Sequence, residues 1–135
     1  MSRRAFLSAA FGAALVTVLG PAWAGSYLSR AAVLLEAAEL EGSALRQRLH
    51  DKDLARLTHR LATARIESAR EMPVPKEVVR AHPHLLLVLE AYERAADAAL
   101  RGADEAFLVA LARAREERRT FEAVLGQLGW TLKDH

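Results

Sequence analysis

The sequence predicts an all-α protein, an up-down-up-down four-helix bundle preceded by a cleavable signal helix. After the first 24 residues, apolar side chains recur every three or four positions in four successive segments, which is the spacing of amphipathic helices. The period-two alternation of strands is missing, and the abundant Ala, Leu, Glu and Arg favour helix. The connections between the segments are short, and short connections make consecutive helices antiparallel neighbours.

The chain opens with the three parts of a secretory signal peptide. An arginine pair precedes an apolar run over residues 5–19, and a small-residue A-x-A cleavage site follows the run. The residues that define this signal are Arg3, Arg4, Ala22 and Ala24. The run is shorter than the roughly 20 apolar residues that a membrane span needs. We expect cleavage after Ala24, which divides the chain into a signal peptide, 1–24, and a four-helix bundle domain, 25–135.

The residues around the arginine pair, Ser2-Arg3-Arg4-Ala5-Phe6-Leu7, resemble the twin-arginine export motif of bacteria. The apolar run is only mildly hydrophobic, which is also similar to such leaders, although Ser8 stands where a lysine is usual. The resemblance covers only the leader and implies a periplasmic or secreted protein. Gly20 and Pro21 predict that the leader helix ends just before the cleavage site. In the alternative, an uncleaved precursor, the leader is the only part that contacts the membrane.

Charge and cysteine content exclude several classes of function. The 19 Lys and Arg include the two leader arginines, while all 17 Asp and Glu follow the leader, so the mature chain is formally neutral. A nucleic-acid partner, which requires a basic face, is therefore not expected. The chain has no cysteine, which excludes disulfides, thiolate metal sites, c-type haem attachment and a cysteine nucleophile.

Each of the four segments has an apolar seam that we expect to face the core. In the first segment the seam is Leu28, Ala31, Leu35, Ala38, Gly42, Leu45 and Leu49. In the second it is Leu54, Leu57, Leu61, Ala64 and Ser68. In the third it is Leu85, Leu89, Tyr92, Ala96 and Ala99. In the fourth it is Phe107, Leu111, Ala114, Arg118, Phe121, Leu125 and Leu128.

Turn residues mark the joints between the segments. Residues 50–53 form a short turn in which Asp51 or Asp53 caps the second helix. Two prolines keep residues 72–75 extended, and a short helical piece follows before the third helix starts at His82.

Two glycines mark the ends of the last two helices. Gly102 closes the third helix, and Asp104 starts the fourth. Gly129 followed by Trp130 predicts a Schellman end in which Trp130 folds back on Leu125.

Two sets of side chains are weak candidates for a metal site. They are the histidines His82 and His84, and the i, i+3 glutamate pairs Glu36 and Glu39 on the first helix and Glu90 and Glu93 on the third. Di-iron bundles use Glu-x-x-His on two helices, and neither pair contains that motif. The simpler interpretation is that the histidines are turn and helix-start residues and that the glutamates are solvated or ion-paired. We therefore expect no cofactor.

Arg118 interrupts the apolar seam of the fourth helix. Because a buried unpaired guanidinium is very costly, we expect Arg118 either to extend to the edge of the bundle or to meet a carboxylate. Glu93 and Glu39 are the expected partners.

No serine-nucleophile motif and no Gly-rich phosphate loop is present, which favours a non-catalytic protein. The leading hypothesis is an exported helical bundle that acts as a protein-interaction or structural module in the bacterial envelope, with a protein partner or a homo-oligomer. It depends on apolar residues beyond the seams, some of which we expect to be exposed: Leu34, Leu40, Ile66, Leu86, Leu87, Val88 and Leu108. The alternative is a small metal-binding four-helix-bundle protein.

Overall fold

The computed structural model describes the backbone of residues 2–132 and the side chains of residues 24–132. This part of the chain is all-helical, contains no strand and has four α-helices, which is consistent with a four-helix bundle and confirms the all-α prediction. The helices are α1, Ser2–Gln47; α2, Lys52–Glu71; α3, His82–Leu100; and α4, Asp104–Gln127. A single 3₁₀ turn, Lys76–Val78, precedes α3.

α1 continues through Gly20 and Pro21, so the helix end predicted there is wrong. A proline inside a helix removes one backbone hydrogen bond and kinks the helix, but it does not by itself end the helix. The side chains of Arg3, Arg4 and Ala22 lie outside the described residues, and cleavage after Ala24 stays a prediction. Within residues 24–132, none of the helices has the length and hydropathy of a membrane span.

α3 is the central helix, because it packs against each of the other three helices. Its buried side chains are mostly small: Ala91, Ala95, Ala96, Ala98 and Ala99 accompany Leu85, Val88, Leu89 and Tyr92. The seams predicted for α1, α3 and α4 are confirmed as the faces that bury Leu35, Leu89 and Phe121. The core is therefore built by all four helices around an alanine-rich α3.

The seam predicted for α2 is wrong except at Leu54, which is half-buried and packs against the core. The buried residues of α2 are Ala55, Thr58, Ala62, Ile66 and Ala69. The leucines predicted to face the core, Leu57 and Leu61, are exposed, as are Ala64 and Ser68. α2 carries two apolar stripes, and the stripe of smaller side chains packs against the alanine-rich α3, since small residues let two helices approach closely.

The connection between α1 and α2 has the predicted cap. Asp51 precedes α2, and its Oδ1 accepts a hydrogen bond from the backbone N–H of Leu54 at 3.0 Å. Met72, after the last turn of α2, has the extended backbone that the two prolines impose. α3 begins at His82, as predicted.

Both predicted glycine ends are confirmed. Gly102 and Gly129 have φ angles of 74° and 88°, which favour glycine because it lacks a Cβ. The N–H of Trp130 donates to the carbonyl of Leu125 at 2.9 Å, the hydrogen bond that defines a Schellman motif. α4 begins at Asp104, whose carboxylate lies in the first turn where the helix dipole favours negative charge.

Candidate interaction surface

α1 and α2 each carry an apolar stripe that faces away from the core. The stripe on α1 is Val33, Ala37, Leu40 and Ala44, and the stripe on α2 is Leu57, Leu61, Ala64 and Ser68. In both stripes the spacing is i, i+4, i+7, i+11, which places the four residues on one side of a helix. The exposed fractions are 73% for Leu40, 64% for Val33, 53% for Leu57 and 42% for Leu61.

One end of each stripe, Val33 on α1 and Ser68 on α2, lines a groove of about 550 Å³ between the two helices. The groove is lined by Ser29, Arg30, Val33, Leu34, Ser68, Glu71 and Met72. Leu40 lies seven residues after Val33, and Leu61 lies seven residues before Ser68. Because a short turn makes α1 and α2 antiparallel, Leu40 and Leu61 stay level with each other two turns from the groove. The two stripes thus form one surface, which we call the α1–α2 surface.

An ion pair joins the same two helices. Arg65 of α2 donates to the Glu41 carboxylate of α1, and the side chains are only 10% and 22% exposed. Glu41 Oε1 is buried and has no hydrogen-bond partner within residues 24–132. The pair connects α1 to α2 and leaves the apolar α1–α2 surface free of its charges.

Charged groups stand at one end of the α1–α2 surface. Arg30 and Glu71 both line the groove and are both exposed. Neither forms an ion pair with another side chain of residues 24–132. The surface therefore combines an apolar centre with two available charges of opposite sign.

The glutamates predicted as metal candidates are not brought together. The described ion pairs join Glu39 to Arg118, Glu90 to Arg70 at 3.4 Å, and Glu93 to His59 at 2.7 Å. Glu36 is exposed on α1. Within residues 24–132, no three His, Asp or Glu side chains lie close enough to hold a metal ion.

The two candidate histidines have different surroundings. His82 Nδ1 and the Tyr27 hydroxyl are hydrogen bonded at 2.9 Å, and the two rings pack edge to face with centroids 5.6 Å apart. Burial lowers the pKa of His82, although a hydrogen bond to the backbone of Ala69 opposes the shift. His84 Nδ1 is buried and has no partner among the described residues. His82 thus connects the start of α3 with α1 and the last turns of α2.

Tyr27 is a structural residue that the sequence reasoning did not single out. Its ring is buried, and burial raises the pKa of its hydroxyl. A buried tyrosine hydroxyl requires a hydrogen-bond partner, and this requirement was the signal that could have linked Tyr27 to a histidine.

Arg118 meets one of its two predicted partners. Its guanidinium donates to the Glu39 carboxylate, and its Nε lies 3.8 Å from Glu122. Its side chain remains partly exposed, so Arg118 both reaches the edge of the bundle and pairs with a carboxylate. The prediction of Glu93 as a partner is wrong, because Glu93 pairs with His59.

The prediction that some additional apolar residues are exposed is confirmed. Leu40, Leu87 and Leu108 are exposed, whereas Ile66 and Val88 are buried. Leu34 and Leu86 are half-buried and pack against the core. The greatest concentration of exposed leucines is on the α1–α2 surface, because the predicted seam of α2 faces outward.

Comparisons of the chain with known protein families, curated proteins and solved structures find no match. The features that bear on a function are therefore the chain's own: the α1–α2 surface, carboxylates engaged in ion pairs, and an N-terminal pattern typical of export signals.

Proposed function

We propose that the protein is an exported, non-catalytic helical-bundle protein that acts as a protein-interaction or structural module in the bacterial envelope. The observation that carries this proposal is the α1–α2 surface. Transferring one leucine side chain out of water stabilises a complex by roughly 1.5–3 kcal/mol. Leu40, Leu57 and Leu61 are partly exposed on neighbouring helices, which leaves about half of that stabilisation per leucine available to a binding partner.

The environments of the polar candidates support a non-catalytic role. Glu39, Glu90 and Glu93 are engaged in ion pairs that connect neighbouring helices. Desolvation is the largest cause of the shifted pKa values of Tyr27 and His82, and their hydrogen bond joins α1 to α3. These arrangements favour a structural role over the metal-binding alternative.

The leader supports the exported location. An arginine pair, an apolar run and a small-residue site occur in the order of a signal peptide, and the arginine pair resembles the twin-arginine motif. Cleavage after Ala24 leaves Tyr27 and the whole seam from Leu28 onward in the mature chain. The processed product that we propose is the up-down-up-down bundle of residues 25–135.

The test uses the protein as its host produces it, purified from the envelope fraction. Intact-mass measurement is expected to show that residues 1–24 are absent. Light scattering and pull-down from envelope extract are expected to show binding that Leu61→Glu weakens at least about tenfold. Leu108→Glu, which changes an exposed leucine of α4, is the matched control and is expected to retain binding.

Three results would contradict the proposal. The first is a processed protein that stays monomeric and captures nothing. The second is a full-length chain that remains in the cytoplasm. The third is a stoichiometric transition metal in elemental analysis of the envelope protein, which would favour the metal-binding alternative.

A further inference from the structure

We propose that the α1–α2 surface binds the same surface of a second copy of this chain. The dimer is two-fold symmetric, and its axis runs parallel to α1 and α2. This inference rests on the proposed function, since it uses the same surface and names its partner. It is carried by two features of that surface: the register of its apolar residues and the position of its two unpaired charges.

A two-fold rotation about an axis parallel to the helices places α1 of one copy on α2 of the other. Such a rotation does not move residues along the axis. Residues that are level across the surface of one chain therefore come into contact between the two chains. Leu40 packs on the partner's Leu61, Ala37 packs on the partner's Ala64, and Val33 packs on the partner's Ser68. The small side chains in this row allow the helices to approach closely, while the leucines are removed from water.

The same rotation makes the charges complementary. Arg30 and Glu71 stand at the same end of the surface, one on each helix. In the dimer Arg30 faces the partner's Glu71, and the symmetry forms this ion pair twice. Both side chains are exposed and unpaired with the other side chains of residues 24–132, so no existing ion pair has to be broken.

The other two-fold arrangement, with the axis perpendicular to the helices, is less favourable. It brings Arg30 and Glu71 against the turn between α1 and α2 of the second copy. Four of the charges there are already paired within the chain, since Arg48 lies 2.5 Å from Asp51 and Arg56 lies 2.9 Å from Asp53. Arg46, in the last turn of α1, forms no ion pair within residues 24–132, but it has the same sign as Arg30. The parallel axis gives both Arg30 and Glu71 a partner of opposite sign that is not engaged in another ion pair within residues 24–132.

The size of the surface sets the expected affinity. From Arg30 to Gln47, α1 extends about 26 Å at 1.5 Å per residue, and two packed helices are about 20 Å wide. The contact then covers about 500 Å² on each chain, which is less than the roughly 800 Å² of a standard stable interface. We therefore expect a reversible dimer with a dissociation constant in the micromolar range.

The first test is sedimentation velocity on the envelope-purified protein between about 1 and 100 µM, a range that spans micromolar affinity. We expect a monomer–dimer equilibrium. Leu61→Glu places a charge in the apolar centre and is expected to raise the dissociation constant at least about tenfold. Leu108→Glu is expected to leave it unchanged. Melting temperatures close to that of the natural protein verify that each variant is folded.

The second test is a charge exchange that is specific to the parallel axis. Arg30→Glu and Glu71→Arg each place like charges opposite each other and are expected to weaken the dimer several-fold. The combined variant Arg30→Glu/Glu71→Arg restores opposite charges in both ion pairs and is expected to recover the dimer. If the combined variant is as weak as the single variants, the proposed geometry is wrong.

The outcomes separate this inference from the proposed function. A protein that is monomeric at all concentrations but captures another envelope protein through Leu61 overturns the dimer and leaves the proposed function intact. A monomer that captures nothing overturns both. A dimer that Leu61→Glu does not weaken, or that Leu108→Glu weakens equally, places the contact on another surface and also overturns the inference.

Discussion

Gly42 lies on the core face of α1, where a side chain would contact both α3 and α4. A Cβ atom on Gly42 would lie 3.1 Å from Tyr92 Cε1 and 3.2 Å from Leu111 Cδ2. Both distances are shorter than the ~3.5–4.0 Å of favourable carbon contacts. Gly42→Ala also gains about 1 kcal/mol of helix propensity, so this gain and the cost of the two close contacts nearly cancel.

Gly42→Val separates the two effects, because it adds two further methyl groups in the same space. Overpacking of this kind destabilises by about 1–3 kcal/mol, while valine gains only a few tenths of a kcal/mol in propensity over glycine. We expect the free energy of unfolding to fall by roughly 2 kcal/mol, which lowers the melting temperature by about 10 °C. Urea denaturation and thermal melting followed by circular dichroism measure both quantities.

Gly126→Ala is the matched control, since a Cβ on this α4 residue meets nothing within 4 Å. The control is expected to stabilise the protein by up to about 1 kcal/mol through helix propensity alone. If the melting temperature of Gly42→Val equals or exceeds that of the natural protein while the control behaves as expected, α1 does not approach Tyr92 and Leu111 as closely as described.

Three further changes test other contacts. Glu41→Ala leaves the mostly buried Arg65 without its carboxylate, and we expect the free energy of unfolding to fall by about 2 kcal/mol. The double variant Glu41→Leu/Arg65→Met replaces both charges with apolar side chains, and its free energy of unfolding is expected to stay close to that of the natural protein. Urea denaturation measures both. Burial lowers the pKa of His82 below its ordinary 6.5, so the unfolded chain takes up a proton first as the pH falls. The stability that neutral His82 contributes is complete above about pH 6.5 and is lost as the pH falls through the pKa of His82 in the folded protein. The melting temperature therefore decreases between about pH 7.5 and 5, and we expect His82→Gln to make that decrease smaller. Asp51→Ala removes the cap of α2 and is expected to lower the free energy of unfolding by about 1 kcal/mol. Asp51→Asn keeps a side-chain oxygen that can cap the helix, so it is expected to retain most of that stability. An equal loss in the two variants would exclude the cap as the cause.

Local patterns predicted three of the four core faces and most of the joints. The seams of α1, α3 and α4 each dominate their helix, so the core face is visible without knowledge of the neighbours. The Asp51 cap and the turns at Gly102 and Gly129 depend on residues within one helical turn. Such features require no information about how helices rotate against one another.

The core face of α2 could not be predicted from the sequence in the same way. Its large stripe, which contains Leu57 and Leu61, is the more hydrophobic, yet its small stripe, which contains Ala55 and Ala62, is buried. The choice depends on α3, whose buried face is mostly alanine and accepts a close neighbour. A rule that assigns the largest apolar residues to the core fails when the adjacent helix favours close approach.

The ion pairs, like the core face of α2, depend on how the helices are rotated against one another. His59 pairs with Glu93 across 34 positions, and Arg65 pairs with Glu41 across 24. Neither pair has a signal in the local sequence. The Arg118 pair could be predicted because a guanidinium within an apolar seam requires a carboxylate, although geometry alone decides between Glu39 and Glu93.

The hydrogen bond between Tyr27 and His82 has a consequence for maturation. Under the proposed cleavage, Tyr27 is the third residue of the finished chain, and its ring is already fully enclosed. An aminopeptidase that trimmed three residues further would remove an aromatic anchor worth about 3–5 kcal/mol, a large share of the 5–15 kcal/mol that typically holds a domain together. Under that cleavage, a chain that begins before Tyr27 keeps the hydrogen bond between α1 and the start of α3, and a chain shortened beyond Tyr27 loses both the buried ring and that bond.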